Sequence, residues 1–417
     1  MEHAGWQNEY DRVKSLVERH ETWRGSCLNL CAAENAMSPA VRGMLCTDLA
    51  QRYGDYTGRD LHARRYFGTR EIAELEATVS QLAADVFDAR YVELRPISGH
   101  IAGNAVMMGF CKAGDVVFEL GSYSGGHRLA TKLAAGGPVS LQVEYLPFDP
   151  VAFNVDVPRT LEMVRRFRPR LIVLGSSNFL FPHPVRELAE GLREFPETIL
   201  SYDASHVLGL IAGRRFQDPL GEGAQLVFGG TQKSFPGPQG GVIYGNSPEL
   251  MEVMGSNVHP VLVSNHHLAR LPSLGLALVE MKEWGAAYAD QVIRNARALG
   301  SALAALDVPV VAAESGFTAS HTVLLSTALI DSAAVLGQRL DDANIIVTAV
   351  RLPKELGAEG LRIGVNEITR RAADERSMEE VARLIAAVVL GSRPVEHIRG
   401  EVQELTRQLQ GYCFTFS

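Results

Sequence analysis

Between residues 70 and 245 the chain alternates short apolar runs with amphipathic stretches, and that alternation constrains the fold more than any other feature. Tyr91–Arg95, Val116–Leu120, Leu141–Tyr145, Leu171–Leu174, Thr198–Tyr202, Gln225–Phe228 and Gly241–Tyr244 read as strands. Ile101–Cys111, Arg159–Phe167 and Val185–Arg193 carry apolar residues at helical spacing between them. Strands alternating with helices predict a mostly parallel, seven-stranded α/β sheet covered by helices on both faces. A long amphipathic run, Leu274 to Leu306, then leads to a smaller C-terminal α/β unit. Its expected strands are Thr322–Leu325 and Leu361–Ile363, and its expected helices Met378–Leu390 and Val402–Leu409. The expected division is an N-terminal arm over 1–50, a large domain over 51–280 and a small domain over 281–417.

Chemistry gathers where those strands end. Gly229-Gly230-Thr231-Gln232-Lys233-Ser234 follows one apolar run and leads into Gly237-Pro238-Gln239-Gly240-Gly241. One lysine thus stands among small residues and turns that let backbone approach closely. Tyr202-Asp203-Ala204-Ser205-His206 closes the preceding strand. A strand ending in Asp and another ending in Lys suit a pyridoxal phosphate site. The amine forms the Schiff base and the carboxylate pairs with the pyridinium nitrogen. Taken alone, a loop lysine is usually a solvated surface charge, and a strand-end aspartate is often a helix cap.

Other residues extend the pattern. Ser98-Gly99-His100 opens a helix and offers free N–H groups to a phosphate, although Ser98 alone is equally an N-cap. In Ser124-Gly125-Gly126-His127 paired glycines precede an imidazole flat enough to stack on a cofactor ring. Arg362 is a charge inside an apolar strand and requires a partner, either an internal acid or a substrate carboxylate. Glu34 lies in a small, apolar segment, which predicts a raised pKa and an acid/base role.

The order of these elements resembles the serine hydroxymethyltransferase group of fold-type-I (aspartate aminotransferase-like) pyridoxal phosphate enzymes over nearly the whole chain. Leu30-Cys31-Ala32-Ala33-Glu34-Asn35, Arg65-Tyr66-Phe67-Gly68, Ser98-Gly99, Gly125-Gly126-His127, Asp203-Ala204-Ser205-His206, Thr231-Gln232-Lys233 and Arg362-Ile363-Gly364 follow in family order. The resemblance implies that Lys233 carries the cofactor, Asp203 keeps its ring nitrogen protonated and His127 stacks on the ring. It implies that Ser177 and His206 lie near the ring hydroxyl and that Thr231 also belongs to the cofactor site. Ser98, Gly99, His100 and the Gly240 backbone would hold phosphate, with Tyr53 arriving from a second subunit. Arg362 would bind the amino acid carboxylate, and Glu34 and Tyr66 would move protons. A site shared between chains implies a homodimer.

Departures from the family bear on the reaction. The two leucines expected to pack on folate correspond to Ser122 and Arg128, and the expected folate loop reads Thr348-Ala349-Val350-Arg351-Leu352-Pro353. Loss of apolar contacts should weaken pterin binding by roughly 1.5–3 kcal/mol per large side chain. Gln232 replaces a histidine, Gln239 an arginine, and the segment Thr57–Arg64 is long. Val263-Ser264-Asn265-His266-His267 and Gly316-Phe317-Thr318-Ala319-Ser320-His321 resemble the threonine transaldolase branch. The expected activity is folate-independent Cα–Cβ cleavage and formation in specialised metabolism. The alternative is processing of an S-conjugated cysteine, by β-elimination or decarboxylating deamination, as in lincosamide antibiotic pathways.

A net charge of -8, with scattered arginine pairs and no basic tract, argues against a nucleic-acid partner. No apolar run has membrane-spanning length. The polar N-terminus and five cysteines without metal-ligand spacing predict a cytoplasmic protein with free thiols and no metal centre.

Overall fold

The computed structural model describes residues 4–136 and 139–416. The central sheet is built from β1 (Tyr91–Glu93), β2 (Val116–Glu119), β3 (Gln142–Tyr145), β4 (Leu171–Leu174), β5 (Ile199–Asp203), β6 (Leu226–Gly230) and β7 (Gly241–Gly245). Their order is β1-β7-β6-β5-β4-β2-β3. β7 runs antiparallel to both neighbours and every other pairing is parallel. β4 through β7 are buried at every residue, which is why they read as continuous apolar runs without alternation.

This connectivity decides where a site forms. The chain runs from β2 out to β3 and returns to place β4 on the other side of β2, so strand order reverses there. Ligands in open α/β sheets lie outside the carboxyl ends of strands at such a point. The turns after β1, β2, β4, β5 and β6 all emerge at that end, and β7 begins there because it runs the opposite way. These turns carry the predicted chemistry. The sequence placed Arg95 within the first strand, but the strand ends at Glu93. Arg95 instead folds back, its Nε 2.8 Å and Nη2 2.6 Å from the Glu93 carboxylate.

Helix α1 spans Ala4–Gly25 and is exposed along almost its whole described length. Helix α2 (Gly99–Phe110) packs on β6 and β7, burying Ala102, Ala105, Val106 and Phe110. Helix α3 covers Leu129–Gly136. The long run predicted to begin at Leu274 is helix α4, Arg270–Ala304. It is followed by an antiparallel sheet of β8 (Thr322–Ser326), β9 (Thr348–Arg351) and β10 (Glu359–Gly364), in the order β8-β10-β9.

The N-terminal segment joins this smaller sheet's surroundings. Leu28–Asn29 pairs in parallel with Ile345–Ile346, and the Gly364 N–H donates to the Leu30 carbonyl at 2.8 Å. A Cβ at Gly364 would stand 2.3 Å from the Ala32 Cα, so only glycine lets the Glu34 segment lie against β10.

Candidate functional site

Asp203 is the last residue of β5 and is buried, its Oδ1 accepting the Ser205 N–H at 2.9 Å. Lys233 lies in the loop between β6 and β7, half-buried. The loop is closed on itself: Thr231 donates its hydroxyl to the Pro238 carbonyl at 2.6 Å and its N–H to the Gly240 carbonyl at 3.1 Å. Burial lowers the Lys233 pKa, opposed by Asp203 and reinforced by the nearby Arg362 charge. An amine between an aspartate and an arginine is thereby moved toward its neutral, nucleophilic form.

The turn read from the sequence as a phosphate site opens a helix at Ser98. The Ser98 Oγ accepts the Ile101 N–H at 3.1 Å and caps α2, whose first N–H groups face the end of the sheet. A Cβ at Gly99 would lie 2.7 Å from the Gly230 nitrogen, so the helix approaches the Lys233 loop as closely as backbone permits. Arg270, which the sequence did not mark, ties these parts together. Its buried guanidinium donates to the carbonyls of Leu94 (2.5 Å), Pro96 (3.0 Å) and Gly241 (3.0 Å). A Cβ at Gly240 would meet that guanidinium at 2.2 Å. Burial takes the Arg270 pKa down to about 10, with Glu93 opposing.

The other predicted residues surround Lys233 and Asp203. His127 is exposed at the open site and stands edge-on to His100, with ring centroids 5.5 Å apart; desolvation by the surrounding protein lowers its pKa to about 4 against the pull of Asp203. His100 is also lowered, by burial and then by Lys132. His206 is buried with its Nδ1 unpartnered and its pKa pushed far down by burial. It stacks on His321 at 6.1 Å. The Ser177 hydroxyl donates to the Gly125 carbonyl at 2.7 Å. Arg362 is 6% exposed and donates from Nη1 to the Ser177 carbonyl at 2.8 Å, while its Nε has no partner. Among the described residues no carboxylate pairs with it, so the internal acid allowed by the sequence is absent.

Glu34 departs from its sequence expectation. Its side chain is 45% exposed and its Oε2 sits 2.5 Å from Arg24 Nη2, rather than in an apolar enclosure. The Glu34 N–H closes a turn onto the Cys31 carbonyl at 3.1 Å, which sets its side chain beside Arg24. The carboxyl that burial raises is the neighbouring Glu367, to about 7, with Arg24 opposing. Cys31, read from sequence only as a free thiol, has its Sγ 3.4 Å from Thr348 Oγ1 and lies within electrostatic reach of Lys233 and Arg362.

Tyr53 and Tyr66 are 56% and 42% exposed, their rings 5.4 Å apart. The long loop between them is anchored from beneath. Arg64 and His266 both hold the buried Glu76 carboxylate, His266 Nε2 at 2.5 Å from Oε1. Arg95 donates to the carbonyls of Tyr56 (3.2 Å) and Gly58 (3.0 Å). His266 of the unassigned His-His pair is thus a buried support, while His267 is exposed.

These residues fit pyridoxal phosphate. The α2 N-terminus and the glycine-lined turns suit a phosphate. The unpartnered His206 Nδ1 and Arg362 Nε are buried polar atoms facing no protein group, and Asp203 and Lys233 supply the pair required at ring nitrogen and aldehyde. Among the described residues, no group of His, Cys, Asp and Glu could hold a metal, and no helix is long and apolar enough to cross a membrane.

Sheet, turns and lysine–aspartate pair define the chain as a fold-type-I pyridoxal phosphate-dependent enzyme. The serine hydroxymethyltransferase family model matches residues 7–385, and the chain belongs to that family. Named relatives include serine hydroxymethyltransferases of Methanopyrus kandleri, 40% identical over 97% of this chain and 94% of that one, and of Korarchaeum cryptofilum, 38% identical over 98% and 97%. The crystal structure of L-threonine transaldolase from Pseudomonas fluorescens in its internal aldimine state is 30% identical and superposes with a TM-score of 0.93. That match covers 100% of this chain and 96% of that one.

Proposed function

We propose that the protein is a folate-independent threonine aldolase or transaldolase of specialised metabolism. One observation supports this reading most. Where the family resemblance expects folate-packing leucines, Ser122 receives a hydrogen bond from Arg351 (3.4 Å), whose guanidinium lies 5.4 Å from the Tyr123 ring centroid. A polar mouth forfeits the apolar burial that a pterin ring needs. The fold-level likeness to the Pseudomonas transaldolase supports the same reading.

The bound cofactor would supply an electron sink for the carbanion left at Cα. Asp203 holds the proton on the cofactor's ring nitrogen. Arg362 binds the amino acid carboxylate through its unpartnered Nε edge, orienting the Cα–Cβ bond. Glu34, close to Arg24, takes the β-hydroxyl proton, and Tyr66, its ring 5.4 Å from that of Tyr53, moves protons with Tyr53 in the partner's site. The Cα–Cβ bond of threonine breaks and acetaldehyde leaves. A new Cα–C bond then forms to a second aldehyde, whose carbonyl oxygen takes a proton, so atoms balance without an external oxidant.

The working assembly would be a homodimer in the cytoplasm, with Tyr53 serving the partner's site. Exposed Trp6, Tyr10, Val13 and Val17 share one face of α1, and Tyr53, Tyr66 and Phe67 form a second exposed cluster. Contiguous exposed apolar surface of this kind marks an interface.

Folate-dependent hydroxymethyl transfer is the competing reading, favoured by the names of relatives up to 40% identical. Holoenzyme with L-threonine and no folate should release acetaldehyde, and an added acceptor aldehyde should yield a new β-hydroxy amino acid. Glu34→Ala should lower cleavage about 100-fold or more while leaving glycine binding within a few-fold. Turnover of serine only with a reduced pterin, and none of threonine, would overturn the proposal. Equal loss of cleavage and binding in the variant would remove Glu34 from the proton-transfer role.

A further inference from the structure

The mouth of the site carries cations without carboxylate partners. Arg351, at the end of edge strand β9, is exposed and reaches across to the turn after β2, touching Ser122 and Tyr123. Its backbone carbonyl is fixed by the Asn178 side-chain amide at 3.2 Å, so the strand end is held at the mouth. Arg128 follows His127 and sits at φ +56°, in the left-handed region that a non-glycine residue rarely occupies. Strain of this kind persists where surrounding structure enforces it, and it clusters at functional sites. Lys132, one turn further along α3, is exposed and lies close enough to lower the pKa of both His127 and His100.

Glu119 lies within electrostatic reach of Arg128 and Lys132 but forms a salt bridge with neither. Glu119 is buried at the end of β2, and its carboxylate is consumed by α3. It accepts the N–H of Ala130 (3.0 Å), the N–H of Thr131 (2.9 Å) and the Thr131 hydroxyl (2.6 Å). Glu359 stands opposite Arg351 in the β9–β10 register, yet the two form no ion pair. Among the described residues, Arg128, Lys132 and Arg351 enter no salt bridge. Desolvation and repulsion by Arg128 lower the Lys132 pKa, with Glu119 opposing. The protein as a whole is acidic, at -8, so a positive mouth is a local reversal of sign. Such a patch raises the local concentration of anions and accelerates their arrival.

We propose that Arg351, Arg128 and Lys132, with Ser122 and Tyr123, form an anion subsite that selects the second substrate: an aldehyde bearing a carboxylate or phosphate remote from its carbonyl. The inference rests on the transaldolase reading for the identity of that substrate, but anion binding at the mouth stands or falls separately. Arg351 supplies a planar fork of donors on an aromatic shelf, a geometry suited to either anion. The Tyr123 ring and the methylene stems of the arginines supply an apolar wall for the aldehyde's body.

The test uses holoenzyme saturated with glycine, so that Arg362 is already occupied by a carboxylate. Binding of 4-(hydroxymethyl)benzoate, 4-(hydroxymethyl)phenyl phosphate and uncharged benzyl alcohol is measured by titration calorimetry at low and high salt. Both anions, or one of them, should bind at least about tenfold more tightly than the neutral alcohol, with the advantage shrinking as salt rises. The tighter anion identifies the natural acceptor's charge group. Arg351→Gln, at an exposed edge, should remove most of the advantage, and Arg128→Gln a further part. In parallel, transfer from L-threonine to 4-formylbenzoate, 4-formylphenyl phosphate and benzaldehyde is compared, and the ratio of charged to neutral kcat/KM should fall in both variants. Equal affinity for all three alcohols, or an advantage that neither substitution changes, would overturn the subsite. Anion binding that depends on Arg351 without any transfer from threonine would uphold the subsite and sink the transaldolase reading instead.

Discussion

Arg362 allows one perturbation to separate stability from function. It is a buried guanidinium with one hydrogen bond, to the Ser177 carbonyl, and no carboxylate partner among the described residues. Burial lowers its pKa, which is the sign of a charge held at a cost. Desolvating such an ion costs several kcal/mol, and one charged hydrogen bond returns about 1.5–3 kcal/mol. Arg362→Met keeps the stem's packing and removes the charge. The apo protein should therefore gain about 1–3 kcal/mol and melt a few degrees higher. The same change removes the donor for the substrate carboxylate. Truncating one partner of a buried, hydrogen-bonded charge pair costs about 2–5 kcal/mol, so the glycine Kd should rise about 30- to 4000-fold. The assay pairs thermal melts of apo protein with a glycine titration followed by cofactor absorbance. In the wild type glycine should raise the melting temperature by mass action, and in the variant it should not. A variant that binds glycine within about tenfold of wild type, or one whose apo form melts well below it, would refute the assignment.

Two further outcomes are expected. Replacing Trp6 and Tyr10 by Glu removes apolar side chains worth about 1.5–3 kcal/mol each when buried, and should shift the protein toward monomer in sedimentation without altering far-ultraviolet circular dichroism; an unchanged dimer would exclude the exposed face of α1 as the interface. Burial holds His183 and His321 at about pKa 3, so the stability they contribute is complete above the unfolded value near 6.5 and is lost as pH falls toward 3, about 2 kcal/mol each by pH 5; His183→Gln should flatten the fall in melting temperature between pH 7 and 5, although Glu367, raised to about 7, opposes that fall over the same window.

Residues legible in the sequence were those whose signal is local. Lys233 and Asp203 stand where strand-like runs meet glycines, and both ends of that pattern lie within a few residues. Ser98 and Gly99 announce a helix N-terminus by type alone. Four of the seven strands, β4 through β7, were legible as apolar runs because they are buried at every residue. What escaped depends on partners far apart in the chain. Arg270 supports the turn after β1 from 174 residues away, and Glu76 meets His266 across 190. Neither spacing has a periodicity to detect. Glu34 was misplaced for a related reason: its neighbours in sequence are small and apolar, but its neighbour in space is Arg24.

That asymmetry explains why the family is plain while the reaction needs further argument. The fold is shared with the Pseudomonas transaldolase and the family with the serine hydroxymethyltransferases, and in the proposed reading the lysine loop and Arg362 serve any chemistry that loosens a bond at Cα. Relatives 40% identical therefore constrain the cofactor more strongly than the acceptor. In the proposed reading the acceptor is read by side chains that carry no part of the fold. Ser122 sits in a turn, Arg351 at the end of an edge strand, and Arg128 at a strained position after His127. Exchanging such residues costs little stability, since none lies in the core. Specificity at this mouth is therefore free to change while the catalytic centre stays constant, and the charges at the mouth, rather than overall identity, are the place to ask which second substrate the protein takes.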